Sequence, residues 1–338
     1  MLHQIGGHPS VTTDESGSLL IKTAAPREIA FYQLLHSTPA GRCAADAPHA
    51  DDDDDDDDDD EIPSWETLLG GLKRFVPRFW GTLAVHDVAL TRTTTPTAPQ
   101  QDAIVLSNLT HRYVRPNVMD IKLGTVLYDA ADPSVTAGKR EKMERKARER
   151  SVALTGAAIT GYQTWDNTQQ QYIRGERSAC GLLPPSALPH AFTCFTPTPT
   201  PSLLRTLRHL LTTLSTLARL LAHLEIRLIG SSLLIIYEGD PTLHDNAWTT
   251  ADHVGATPDG LEEEQIHHDD DGPCDPSSSS SSSSAASTIV APPFTLRLID
   301  FAHTRLCEGD GPDRGVLKGL ETVMGLVKGR IEEVERQV

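Results

Sequence analysis

Cysteine is scarce: Cys43, Cys180, Cys194, Cys274 and Cys307 are the only five in 338 residues. They are scattered, odd in number and form no C-x-x-C pair, which excludes a disulfide framework or a cysteine zinc site as the basis of the fold. Apolar residues make up 38% of the chain, low for a compact enzyme and a sign of solvated insertions. No apolar run approaches the length of a membrane-spanning helix. The longest apolar stretch, Leu203–Leu224, is interrupted by Arg205, Arg208, His209 and Arg219 and reads as an amphipathic helix. No internal repeat is present. No secretory leader is recognisable at Met1, so nucleus and cytoplasm are the expected compartments, without membrane insertion.

The formal net charge of −17 suggests an aversion to anions, but it is concentrated in two runs. Residues 51–61 are ten Asp and a Glu, and residues 259–275 hold eight further acids and no Lys or Arg. Without those nineteen acids the formal charge is +2. Self-repulsion and the lack of apolar surface predict that both runs lie outside the packed fold. Eight consecutive serines at 277–284 extend the second into a low-complexity insertion. Thr/Pro tracts at Thr91–Pro99 and Thr196–Pro201 read as connectors.

Between these breaks strands and helices alternate. Ser18–Lys22, Thr82–Val88, Ala103–Leu106, Ser232–Tyr237 and Thr295–Asp300 are predicted strands. Arg27–Leu35, Trp65 to about Pro77, Lys139–Ala153, Leu203–Leu224 and Val316–Val334 are predicted helices, the last weakened by Gly319, Gly325 and Gly329. Strands first and helices mostly later point to an α+β, two-lobed arrangement.

Four places carry candidate chemistry. Lys22 ends a strand that follows the turn-rich segment from Gly6-Gly7-His8 to Gly17, and Glu28 six residues on could pair with it. A strand lysine is more often a solvated edge charge. In Pro116-Asn-Val-Met-Asp120-Ile-Lys122-Leu-Gly124 a carboxylate and an ammonium two residues apart on an extended segment face one side. Asp300 ends an apolar strand beside Phe301, where a carboxylate is costly unless ion-paired or metal-bound. The segment from Lys139 to Arg150 holds seven bases and three acids, with Lys139, Lys142 and Lys146 on one helical face and Arg145 three beyond Lys142. A solvated face, a nuclear localisation signal, a nucleic-acid patch and a polyphosphate site all compete for that pattern.

The segment Pro116–Gly124, continuing to Tyr128-Asp129, resembles the P-x-x-x-D-x-K-x-G signature of the inositol polyphosphate kinase family. Gly230-Ser-Ser-Leu-Leu234, Ile299-Asp-Phe-Ala-His-Thr304 and Gly311-Pro-Asp313 resemble its later motifs in the same order. Pro26-Arg-Glu28 and Phe75–Gly81 resemble its N-lobe. The resemblance implies a two-lobed α+β fold, ATP-grasp- or protein-kinase-like, with a helical inositol-binding segment. It places an N-lobe at 1–104, a hinge at 105–110 and a C-lobe at 111–338, with the inositol-binding segment at about 130–160 and insertions at 51–61 and about 255–290.

It also implies roles. Lys22 would contact ATP phosphates and Glu28 would orient it. Backbone groups of Ser107 and Leu109 would hold adenine; many relatives carry an acid where Ser107 stands. Asp120 would bond the ribose, and Ser232 would shape the phosphate or metal site. Lys122 and Asp300 would be catalytic, with Asp300 binding Mg²⁺. Lys122, Lys139, Lys142, Arg145, Lys146 and His303 would meet the inositol polyphosphate. No catalytic base is identified, and Gly161–Trp165 reads as structural. The Ile-Tyr237-Glu238-Gly-Asp240 ending resembles the multikinase branch. A pyrophosphate-forming hexakisphosphate kinase and a nuclear scaffold that engages basic proteins through the Asp run are the alternatives. A monomer is expected, and nucleic acid is not expected as a partner.

Overall fold

The computed structural model describes residues 11–39, 63–85, 101–175, 177–255, 257, 259 and 291–338. The Gly6-Gly7 turn, the Asp run, the Thr/Pro tract at 91–99, the Ser run, Cys43 and Cys274 lie outside the described residues.

Two antiparallel sheets organise the chain. The N-terminal sheet has the order β1 (Val11–Thr13), β2 (Leu19–Thr23), β4 (Gln101–Ser107), β3 (Phe79–Val85). Leu19 lies opposite Ser107 and Lys22 opposite Ile104, so the end of β4 and Lys22 sit at different levels of one sheet. Helix α1 (Pro26–Ser37) starts three residues after β2, with Pro26 in its first turn, where a missing N–H costs nothing. Helix α2 (Trp65–Lys73) is capped by the Ser64 hydroxyl. It is shorter than predicted from sequence. The Phe75 N–H turns back to the Leu72 carbonyl, and the Phe75 carbonyl accepts from Leu298 N at 2.6 Å, so a long-range bond ends the helix before Pro77.

The second sheet runs β10 (Phe294–Ile299), β9 (Ser232–Glu238), β5 (Pro116–Leu123), β6 (Ala157–Asp166), β7 (Gln171–Gly175). Its central strand β5 is buried almost end to end, as expected of a strand covered on both faces. Strands β8 (Ile226–Ile229) and β11 (His303–Leu306) form a separate pair. Seven of the eleven described strands lie at or beyond Pro116, so strands do not come first and helices later, as the sequence suggests. Helix α3 (Ala137–Glu149) stops short of its predicted end, and Ala153 belongs to the separate one-turn α4 (Val152–Thr155). Buried Ser151 sends its hydroxyl to the Ala157 carbonyl at 2.7 Å, which takes the chain out of the helix and into β6.

The short helix α5 (Arg177–Cys180) leads to α6 (Leu188–Phe195). Helix α7 (Pro201–Ala222) is capped by the Thr200 side chain. It buries Leu203, Leu207, Leu210, Leu214, Leu217 and Leu221 at three- and four-residue spacing. It packs along α9 (Arg314–Glu335), which is capped by Asp313. Gly319 in α9 has a packing reason that outweighs its helix cost: a Cβ there would lie 2.3 Å from the Gly156 carbonyl oxygen. Among the described residues no helix is long and apolar enough to cross a membrane. Cys180, Cys194 and Cys307 are free thiols.

Asp259, placed in an excluded acidic run by sequence, is instead buried. Its carboxylate accepts from Thr213 Oγ1 at 3.1 Å. Partners in α7 and β10 hold it, and local composition carries no trace of them.

Helix α8 (Pro241–Val254) buries His244. Its Nε2 lies 2.8 Å from Thr206 Oγ1, which also accepts from Trp248 Nε1. Burial pulls His244 down to about 4, with the Asp245 carboxylate acting weakly the other way. A histidine held neutral in the fold stabilises it fully above the unfolded value near 6.5. That contribution is lost as pH falls towards about 4. Unfolding by urea at pH 7.5 and pH 5 is therefore expected to show a loss of about 2 kcal/mol at the lower pH from this group, within the range set by linkage. His244→Gln should reduce that difference.

Candidate active site

The site begins where β10 ends. Ile299 closes the ladder opposite Ser232, and Asp300 then takes φ +65°. Asp tolerates this left-handed conformation far better than a β-branched residue does. The next side chain anchors the turn. Phe301 is fully buried, with its ring 4.8 Å from Phe31 and 5.4 Å from Tyr32. Its N–H donates to Glu28 Oε1 at 3.2 Å. The turn is thus fixed to α1, while the Asp300 carboxylate stays 37% exposed.

Lys22 reaches the same place from β2. Its ammonium donates to Glu28 Oε1 at 2.8 Å and to Asp300 Oδ1 at 2.7 Å. Burial pulls Lys22 down, but Asp300 and Glu28 outweigh it and hold the group above its ordinary value. Glu28 is 2% exposed, so its charge depends on these partners. Sequence anticipates the pairing of Lys22 with Glu28. The bond to Asp300 joins residues 278 apart.

Asp120 on β5 is buried opposite Leu234 of β9. Burial pushes it up to about 6, and the Asp300 carboxylate adds to that. The hydroxyls of Ser232 and Thr160 and the Lys122 ammonium act against it. Its Oδ1 is buried with no hydrogen-bond partner. Lys122 lies opposite Ser232, and its ammonium sits about 4 Å from where a side chain on Gly230 would start. Gly230, at φ +80°, makes the turn from β8 to β9. His303 is exposed and pairs with Ile229, the residue before that turn. Lys122, Ser232 and His303 therefore gather around the Gly230 turn.

At the end of β4 the Ser107 N–H donates to the Arg78 carbonyl at 3.0 Å, and the Ser107 hydroxyl accepts from Trp80 Nε1. The Ser107 N–H is therefore not available to a ligand. No described residue engages the Leu109 N–H. Asn108 ties this segment to the β1–β2 turn through Ser18 O and Gly17 O, both at 2.7 Å.

Helix α3 presents Lys139, Arg140, Lys142 and Arg145 to solvent, with Lys146 half-buried. Arg145 faces Glu149 at 3.8 Å. No ion pair with a described residue engages Lys139 or Lys142. Sequence reasoning missed Arg27 and Arg305, which both pair with the buried Asp129 at 2.9 and 3.3 Å. Asp129 stands between Tyr and Ala in a loop, and nothing local signals its burial.

Among the described residues no cluster of three or more His, Cys, Asp or Glu side chains forms a protein-only metal cage. The site nevertheless suits a hard divalent cation. Asp300 offers a carboxylate that is 37% exposed.

The sequence profile of the inositol polyphosphate kinase family matches residues 103–328. The chain belongs to the inositol polyphosphate kinase family. The match runs from β4 into α9 and includes Asp120, Lys122, α3 and Asp300; Lys22 and Glu28 precede it. A relative within the family's range, the inositol polyphosphate multikinase of Saccharomyces cerevisiae, is 27% identical over 366 aligned positions, covering 96% of each chain. Inositol hexakisphosphate kinase 3 of Mus musculus is 25% identical over 259 positions, covering 74% of this chain and 56% of its own. The fold is similar to that of the S. cerevisiae inositol phosphate multikinase Ipk2, solved in complex with ADP and Mn²⁺. That likeness has a TM-score of 0.61 and 23% identity, and covers 93% of this chain and all of the other. The α+β kinase-family architecture expected from the motifs is the architecture present.

Proposed function

We propose that this protein is an ATP-dependent inositol polyphosphate multikinase that converts inositol tris- and tetrakisphosphates to the pentakisphosphate. The observation that carries the reading is the convergence of the neighbouring Lys22 and Glu28 with Asp300, 278 residues from Lys22, next to Asp120 and Lys122 of the signature strand. Likeness to a multikinase along 96% of both chains favours that branch. The hexakisphosphate kinase reading draws less support, since that likeness spans 74% of this chain.

In this reading Glu28 and Asp300 occupy two of the three Lys22 ammonium donors, and the third is offered to nucleotide phosphates. Adenine meets the Ser107 carbonyl and the Leu109 N–H. The orphaned Oδ1 of Asp120 accepts from a ribose hydroxyl. Asp300 would hold Mg²⁺, which when bound neutralises charge on the phosphoryl oxygens. Ser232 keeps Asp120 and Lys122 in register. Lys122 and His303 meet the inositol substrate around the Gly230 turn, and Lys122 offsets charge on the transferring group. A loose phosphoryl-transfer transition state needs little help from a base. Lys139, Lys142, Arg145 and Lys146 bind the remaining phosphates of the substrate.

The exposed position of Lys139 and Lys142 makes the substrate role of α3 testable without disturbing the fold. Lys139→Gln and Lys142→Gln are each expected to raise KM for inositol trisphosphate about five- to tenfold, with KM for ATP unchanged, the worth of about one charge-assisted contact. Unaltered KM for the trisphosphate in both variants would remove α3 from the substrate site.

A further inference from the structure

We propose that Asp129 is a positioning residue that fixes the inositol-binding segment to both sides of the phosphoryl-transfer site. The inference rests on the kinase reading of α3 given above.

The Asp129 carboxylate is 1% exposed and holds three chain segments together. Its Oδ2 pairs with Arg27 Nη1 at 2.9 Å, its Oδ1 with Arg305 Nε at 3.3 Å, and Oδ1 also accepts from Ala131 N at 3.0 Å. Arg27 belongs to α1 and lies 102 residues away in sequence; Arg305 belongs to β11 and lies 176 away. Each arginine has a neighbour in the site. Glu28, next to Arg27, holds Lys22 and the Phe301 N–H. His303 lies two residues from Arg305 on the same face of β11.

The other half of the linkage is Tyr128. Its hydroxyl donates to Glu144 Oε1 of α3 at 2.8 Å, and the Arg140 guanidinium lies over its ring at 5.7 Å. Tyr128 thus attaches α3 to the segment, and Asp129 attaches the segment to α1 and β11. The bonded path runs from Glu144 through Tyr128 and Asp129 to Arg27, Glu28, Lys22 and Asp300. A buried carboxylate held by two partly exposed arginines contributes little net stability and fixes one arrangement of the groups it joins. What it fixes here is the substrate-facing helix relative to the groups that handle the transferred phosphate.

The test compares wild type with Asp129→Asn, which keeps shape and the Ala131 bond but loses the charge. Arg27→Gln and Arg27→Lys sit at a half-exposed position where misfolding is not at issue. Hydrogen exchange of the ligand-free proteins reads the tether directly. Exchange in residues 130–149 should be about tenfold faster in Asp129→Asn and Arg27→Gln, with α7 and β9 unchanged, as for a local opening. Steady-state kinetics read the consequence. KM for inositol trisphosphate should rise about tenfold with KM for ATP within about twofold, and Arg27→Lys should stay near wild type. Unchanged exchange, or faster exchange with unchanged KM for the trisphosphate, would overturn the proposal. A parallel loss of ATP and trisphosphate binding would also overturn it, by revealing a general structural role. Failure of the wild type to phosphorylate any inositol phosphate would defeat the kinase reading instead, while the exchange rates would still decide whether Asp129 tethers the segment.

Discussion

Asp300→Asn is expected to lower kcat by about two to three orders of magnitude, or about 3–4 kcal/mol of transition-state stabilisation, with the fold retained. The left-handed backbone at Asp300 is the reason for choosing asparagine, which adopts that conformation with little strain. Phe301 continues to anchor the turn through its ring contacts and its N–H bond to Glu28. What disappears is the charge that pairs with Lys22 and would hold the divalent cation. Steady-state assay over a range of Mg²⁺ concentrations, with circular dichroism as the control for folding, checks the result. Activity within tenfold of wild type would remove Asp300 from the metal role.

Lys22→Met is expected to lose activity and also to destabilise the protein, by about 3–5 kcal/mol, because it leaves a buried carboxylate without its cation. Glu28 is 2% exposed, and without Lys22 its one remaining hydrogen-bond partner among the described residues is the Phe301 N–H. That cost is a large share of the ~5–15 kcal/mol that holds a typical domain together. The double variant Lys22→Met/Glu28→Gln removes both charges and should recover most of the stability, since a missing pair costs far less than a broken one. It should not recover activity. Urea denaturation of the two single variants and the double variant gives the coupling energy directly. Equal stability of wild type and Lys22→Met would mean that Glu28 is neutralised by some other group.

These two predictions depend on an arrangement only partly legible in sequence. The six-residue spacing between Lys22 and Glu28 crosses a strand–helix junction, so the pairing follows from local structure. The Lys22–Asp300 bond spans most of the chain, and the sequence pairs Lys22 only with Glu28; the resemblance gives Lys22 and Asp300 separate roles. The leucine period of α7 and the apolar runs of β9 and β10 were readable because each element buries a face of its own. Strands β7, β8 and β11 were not, since four or five residues with partly exposed faces carry no period. Asp259 reads as a solvated acid in sequence, and Asp129 reads only as the end of a motif. Both are buried because distant arginines and a threonine supply what local composition cannot show. The same limit explains the early end of α2, where the distant Leu298 N–H takes the Phe75 carbonyl; α3 ends beside a local bond, from the Ser151 hydroxyl to the Ala157 carbonyl six residues on.

The Ser107 position shows the limit from the other side. A backbone contact is indifferent to side chain, so the departure from an acidic residue there carried no warning. The structure adds that the Ser107 N–H is already committed to the Arg78 carbonyl, so the proposed adenine contact rests on the Ser107 carbonyl and the Leu109 N–H.

The most direct measurement is an assay of the purified chain with ATP, Mg²⁺ and a panel of inositol phosphates, with products separated by anion-exchange chromatography. The account predicts stepwise conversion of inositol trisphosphate to tetrakis- and pentakisphosphate, abolished by Asp300→Asn. Turnover of hexakisphosphate alone, to a more highly charged product, would contradict the multikinase assignment, and no turnover of any inositol phosphate would contradict the account as a whole.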